Sequence, residues 1–291
     1  MEIQLIKSHQ IDRDKWDACI RAASNGTVYA YSWYLEYMAS EWEALVADDY
    51  HVVMPLPIKS IYGFRTVIMP AFVSVLGVFS SDILSQKVVE EMIAHIPYRQ
   101  LSYVFNAYNK VDQKKKETFK YSVIDLIPSI GNILSNVSSD GQCIIANIEK
   151  NSISVLRSLN IQNYMVFRDQ HEKQTKAKQR VVLQQLVSFS VRYKSAGLYG
   201  AYDKFNELIA VAFLIKTNNT LFLIDAVSSH QGRTEYGLHA IIYHIIRNNA
   251  ESNLTLQFPF HSKELGRYFS KTEHECQRIV KGVGRLVSWR Y

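Results

Sequence analysis

The pattern of apolar and polar positions opens with an alternation, EIQLIK, that predicts a half-exposed strand. DKWDACIRAA follows at helical spacing, placing Trp16, Cys19 and Ile20 on one face, with Asp12 or Asp14 able to cap its start. YSWYLEYMA predicts a second, short helix. A run of strands comes next, EALVA, YHVVMPLPIK and FRTVIMPAFVSVLGVF, the last two joined through Tyr62-Gly63 as an antiparallel hairpin. The helix SQKVVEEMIAHI then leads to LSYVFNAY and, after a lysine-rich loop, to the strand FKYSVIDLI.

From Pro128 to about Ser158 the pattern is that of a crossover. Beyond it HEKQTKAKQRVVLQQLVSFSVRY predicts a single long helix, then the strand AGLYGAYD, a turn at Lys204 to Asn206, and the strands ELIAVAFLIKT and TLFLIDAVSS. Asn218-Asn219 suits the positive φ angles of a tight hairpin between those two strands. A glycine-bearing turn, the amphipathic helix HAIIYHIIRNNA and the strand LTLQF complete the second half. Helix, antiparallel strands, turn and helix occur twice in loose order, so the expectation is α/β (α+β) with two similar domains, residues 1–150 and 151–291. Each would hold a mixed, mostly antiparallel sheet flanked by helices.

The second turn is where chemistry is expected. A strand passing through Ser228 to Gly237 into a helix presents backbone N–H groups where phosphate binds. Arg233, between Gly232 and Gly237, could pair there with a pyrophosphate. The alternative is that Gly232 merely ends the turn and Arg233 is solvated. Backbone N–H groups at Val227 and Ser228 could hold an acyl carbonyl if the strand splays there; plain strand pairing is the competing reading. His261, just past a strand end, is the one candidate for a catalytic base, against the commoner structural role of a lone histidine. Tyr31 and Tyr34 are candidates for lining a substrate cleft, with Trp33 in the core. His239 and His244 lie five apart on one helix and do not share a face, so no metal is expected.

Composition narrows the class. With 291 residues, 47% hydrophobic and 21% charged, the chain is that of an ordinary globular protein. Eighteen tyrosines beside 13 Phe and 4 Trp suit amphipathic, partly wet surfaces. The net charge of +6 is concentrated in Lys110, Lys114, Lys115, Lys116 and Lys120, a solvated loop or else a basic face for tRNA or an anionic glycan. Three distant cysteines, Cys19, Cys143 and Cys276, offer neither a disulfide framework nor a metal motif. No apolar run is long enough to span a membrane and no signal peptide is evident, so a cytoplasmic location is expected.

The runs Tyr29-Ala30-Tyr31-Ser32-Trp33-Tyr34-Leu35-Glu36, Trp42-Glu43-Ala44-Leu45, Val53-Met54-Pro55-Leu56 and Leu76-Gly77-Val78-Phe79, with the later HAIIYHIIRNNA block, resemble GNAT-like acyltransferases of a FemAB-related group found in Bacteroidetes. The resemblance implies two tandem GNAT-type domains. It also implies transfer of an acyl group from acyl-CoA, or of an aminoacyl group from charged tRNA, to an amine on a small molecule or peptide. Acyl-CoA would then be a co-substrate held by Val227, Ser228, Gly232, Arg233 and Gly237, with no permanently bound cofactor and no DNA partner.

Three departures matter. Pro70 to Leu76 carries no amide side chain where relatives are glutamine-rich, and Gln257 to Ser262 lacks their acidic pair. In the donor turn Arg233 stands one position too far from Gly237, and His239 fills a small-residue position. A degenerate copy acting as a binding or scaffolding protein is therefore the alternative expectation.

Overall fold

The computed structural model describes residues 1–111, 116–173 and 175–282. The chain divides into two compact units, residues 1–119 with the chain from 275 onward, and residues 120–274. The boundary expected at residue 150 falls inside the second unit.

The first unit runs β1 (Ile3–Lys7), α1 (Arg13–Ala22), α2 (Ser32–Met38), β2 (Glu41–Ala47), β3 (Val52–Ile61), β4 (Phe64–Ile68), β5 (Phe79–Ser80), α3 (Gln86–Ala94) and β6 (Leu101–Phe105). There follow β7 (Lys116–Asp125), α4 (Ile130–Ser135), α5 (Ser139–Lys150), β8 (Ser154–Leu156), α6 (Ile161–His171), α7 (Ala177–Arg192), β9 (Ala196–Tyr202), β10 (Leu208–Thr217), β11 (Thr220–Ser228), α8 (His230–Thr234), α9 (Gly237–Asn249), β12 (Thr255–Gln257) and α10 (Lys263–Arg267). Finally β13 (Glu273–Lys281) brings the chain back to the first unit, where it pairs with β6.

In the first unit the strand order is β1-β2-β3-β4-β6-β13, with β5 on β3. Every pair is antiparallel except β4 with β6. Asp12 caps α1, its carboxylate accepting from the Asp14 and Lys15 amides, and Trp16, Cys19 and Ile20 are buried together as their spacing predicts. The β3–β4 hairpin turns at Tyr62 and Gly63, both with positive φ.

The long strand expected from Phe64 to Phe79 is corrected. β4 ends at Ile68, and the chain runs irregularly until β5. Pro70 has no amide to donate to a ladder, and Phe72 adopts a left-handed φ of 58°.

In the second unit the order is β7-β12-β11-β10-β9-β8, antiparallel except for the β11–β12 pair. Asn218 and Asn219 both take positive φ at the β10–β11 turn, as two-residue hairpins require. α9 lays Ile241, Ile242, Ile245 and Ile246 on one sheet face, against Ala210, Ala212, Leu214 and Leu223. Phe213, one residue out of phase, points to the other face, where it meets Tyr164 of α6. The fold is thus α/β, with mixed, mostly antiparallel sheets flanked by helices.

One expectation about helices is corrected. The segment 171–193 is not one helix: α6 ends at His171 and α7 starts only at Ala177. The crossover from Pro128 holds α4, α5 and the edge strand β8. In the lysine run, Lys116 donates to the Val111 carbonyl at 2.8 Å and Lys120 pairs with Glu273 at 3.2 Å. Lys114 and Lys115 lie outside the described residues.

Candidate functional site

β11 and β12 are parallel neighbours only over Thr220–Phe222 against Thr255–Gln257. β11 continues to Ser228, bonded throughout to β10 on its other side, while the chain after Gln257 turns off through Phe258 and Pro259 into a 3-10 turn at Phe260–Ser262. The β11 edge from Leu223 to Ser228 therefore has no strand beside it among the described residues. The two parallel strands open into a wedge of backbone hydrogen-bonding groups, and unpaired backbone of that kind takes an extended partner readily.

A bulge sharpens the wedge. The β10–β11 register shifts between Phe213 and Leu214, which pair with Asp225 and Leu223, so Ile224 is the extra residue. The bulge brings Asp225 to the face carrying Phe213 and Tyr164. There its carboxylate accepts from Arg168 Nε at 2.9 Å, from Arg168 Nη2 at 3.1 Å and from the Tyr164 hydroxyl. The pair is buried, its side chains 4% and 9% exposed. Burial and the adjacent carboxylate hold the Tyr164 phenol well above its ordinary pKa. Arg168 also donates to Thr175 Oγ1 at 2.9 Å, which ties α6 to the start of the α7 approach.

His261 belongs to the same surroundings. Its surroundings push its pKa below the ordinary imidazole value, and the Asp225 carboxylate opposes that shift. The residue is exposed, with its ring edge-on to Phe260. The imidazole is thus biased toward its neutral form, the form that accepts a proton.

At the end of β11 Ser229 caps α8, its Oγ accepting from the Gly232 amide at 2.9 Å. Ser228 is 7% exposed, and its Oγ has no hydrogen-bond partner. Gly232 lies so close to β10 that a Cβ there would stand 2.0 Å from the Ile209 carbonyl oxygen and 2.6 Å from Ser228 Oγ. Gly237 likewise abuts Ala210 and Ile209. Both glycines thus allow close packing on β10, a reason for their presence that the sequence alone did not reveal. Arg233 is exposed along the turn but folds back, donating from Nη1 to the Ser228 carbonyl at 3.0 Å. Gln231 anchors the turn from the other side through Asp203 Oδ2 at 2.7 Å.

Between α8 and α9, Tyr236 sits at φ 63°, which lets the chain change direction and begin a new helix at Gly237. His239, in the first turn of α9, is packed edge-on against the Tyr236 and Tyr268 rings with Nε2 unpartnered. Burial pushes its pKa down to about 4, so it is neutral at physiological pH.

The structure brings Val227, Ser228, Gly232, Arg233 and Gly237 together around one turn. Tyr31 and Tyr34 belong to the other unit. Tyr34 is fully buried, edge-on to Tyr29 and Trp33, with its hydroxyl donating to the Phe72 carbonyl at 2.6 Å. Tyr34 is a core residue, and Tyr31 is buried beside Trp33. Sequence reading missed Asp225, Arg168 and Tyr164. The available signal was Asp225 itself, an acid interrupting the apolar strand TLFLIDAV, with a tyrosine and an arginine four apart on one face of α6.

Among the described residues, cavities also lie elsewhere. One, about 340 Å3, is lined by α3, Tyr98 and Lys281; another, about 450 Å3, lies between α5 and α9, with Glu149, His244 and Arg247 on its walls. Among the described residues no helix is long and apolar enough to cross a membrane.

No family model matches the sequence, and no curated protein matches it. Solved structures do. FemX superposes with a TM-score of 0.61 at 10% identity, over 95% of this chain and 97% of its own. A conserved protein of unknown function from Bacteroides thetaiotaomicron VPI-5482 gives 0.59 at 12% identity, over 93% and 97%. L-PGS from Bacillus licheniformis gives 0.56 at 10% identity, over 96% and 98%. At these identities what the chain has in common with FemX and L-PGS is the fold, across nearly the whole of both chains.

Proposed function

We propose that the protein is an acyltransferase of the GNAT-like, FemAB-related kind, which moves an acyl group from acyl-CoA, or an aminoacyl group from charged tRNA, to an amine acceptor. The observation that carries this reading is the divergence of β11 from β12. It leaves a strand edge at Leu223–Ser228 to which an extended acyl-bearing arm can hydrogen-bond, directly ahead of the turn into α9. The full-length likeness in fold to FemX adds weight.

In that reaction the neutral amine attacks the acyl carbonyl, the C–N bond forms, and the thioester or ester bond to the donor breaks. The ammonium proton must leave, and the departing thiolate or ribose oxygen must gain one. His261, the one histidine expected as a base, is the group proposed to take the first proton. Amides near Val227 and Ser228 are suited to receive the developing oxyanion. The proposed donor site is Val227, Ser228, Gly232, Arg233 and Gly237.

A second reading, a binding protein that has lost the chemistry, is favoured by one observation: the Arg233 side chain is engaged by the Ser228 carbonyl. Thermal shift separates the two. A ligand at 100 times its Kd adds about 2.7 kcal/mol of stability. Acetyl-CoA, longer acyl-CoAs and free CoA at low salt are expected to raise Tm, and Arg233→Ala to reduce the rise. If CoA species have no effect but charged tRNA binds with steep salt dependence, the donor is tRNA; if neither binds, the transferase reading fails.

A further inference from the structure

The β3–β4 hairpin outruns the sheet that bears it. β2 accompanies β3 only as far as Ile58, which pairs with Glu41, and β6 joins β4 only from Val67 onward. Among the described residues no other strand pairs with residues 59–66, which pair with each other, Lys59 with Thr66, Ser60 with Arg65 and Ile61 with Phe64 around the Tyr62-Gly63 turn. They make a two-stranded ribbon that is buried at its base, where Thr66 is fully covered, and exposed from Tyr62 to Arg65.

The apex of this ribbon is aromatic. Tyr62 is 78% exposed and Phe64 52%, with Ile61 half-buried beside them. Such a ribbon gains nothing for the core by placing two rings in water, and contiguous exposed apolar surface marks an interaction site. Two observations select its partner. First, the area is too small for a protein: two rings and part of an isoleucine offer a few hundred Å2, against roughly 800 Å2 per partner in a stable interface. A lipid headgroup layer sets no such minimum, and Tyr and Phe on a rigid tip suit shallow insertion of about 5–10 Å. Second, the ribbon carries no acidic residue. Lys59 is exposed and unpaired among the described residues, while Arg65 is held at the base by Glu41 and Glu43.

We infer that the Tyr62–Phe64 tip is a lipid-surface contact that docks the protein reversibly on an anionic bilayer, the rings entering the interface and Lys59 facing the headgroups. The contact belongs to the first unit and is independent of the acyl-donor reading. Two rings and one cation give weak binding, the regime in which a protein samples a surface without residing there.

The test is co-sedimentation of the full chain with sonicated vesicles of phosphatidylcholine containing about 30% phosphatidylglycerol, at low and high salt, beside vesicles of phosphatidylcholine alone. The wild type is expected to partition onto the anionic vesicles, and Tyr62→Ser/Phe64→Ser to lose about tenfold or more of that partitioning while keeping the wild-type Tm. Lys59→Glu should weaken the anionic preference and leave the residual binding to neutral vesicles unchanged. Failure of the wild type to sediment with anionic vesicles overturns the inference, as does equal binding by the double variant. Concentration-dependent self-association that vanishes in the double variant, without vesicle binding, would assign the tip to a second copy of the chain and overturn it too.

Discussion

The Arg168 guanidinium holds the Asp225 carboxylate through two nitrogens, at 2.9 and 3.1 Å, where both side chains are shielded from water. The pair joins α6 to the bulge in β11, so it fixes the strand from which the wedge opens. Removing one partner leaves a buried charge uncompensated, at a cost of about 3–5 kcal/mol. Arg168→Met and Asp225→Asn are each expected to destabilise by that order in urea unfolding. The double variant should be less destabilised than the sum, which a double-mutant cycle measures. Additive effects would mean that the ion pair does not couple α6 to β11.

His239 sets a pH dependence whose sign follows from its depressed pKa. Its folded pKa is about 4 against an ordinary 6.5, so between those values the unfolded chain binds the extra proton. The stabilising share of the neutral ring is complete above about pH 6.5 and is lost as pH falls toward 4, on the order of 3 kcal/mol in all. His239→Leu should flatten the stability profile across that window in denaturant melts at stepped pH. A slope unchanged by the substitution would place the titrating group elsewhere.

Gly232→Ala tests the close approach of the α8 turn to β10. Helix propensity alone would make alanine stabilising by about 1 kcal/mol in a helical segment such as α8. The Cβ, however, would meet the Ile209 carbonyl at 2.0 Å, backbone that cannot rotate away. The expected outcome is a net loss of about 1–3 kcal/mol, read from the shift in the urea midpoint, and a gain in stability would show the turn to be looser than described.

Much of this was legible in the sequence where a local rule acts alone. Asp12 announces α1, the Asn218-Asn219 pair announces its hairpin, and the isoleucines of α9 mark its buried face. The misses come where tertiary context overrides local pattern. The apolar run after Ile68 reads as strand, yet the backbone at Pro70 and Phe72 withdraws it from the sheet. β13 was not anticipated, because its partner β6 lies far back in the chain. The turn after β11 was legible from Gly232 and Gly237, but not the packing on Ile209 that requires them. Nor does spacing reveal that Asp225, Arg168 and Tyr164 meet, since two elements far apart in sequence supply them.

The wedge itself is tested most directly by amide hydrogen exchange along β11, read with and without saturating acetyl-CoA, and again with charged tRNA. One of the two donors is expected to slow exchange at the outward-facing amides of Leu223–Ser228 and in the first turn of α9, leaving the strands of the first unit unchanged. No change along that edge with either donor, or protection confined to elements away from β11, would contradict the assignment of the acyl donor to this site.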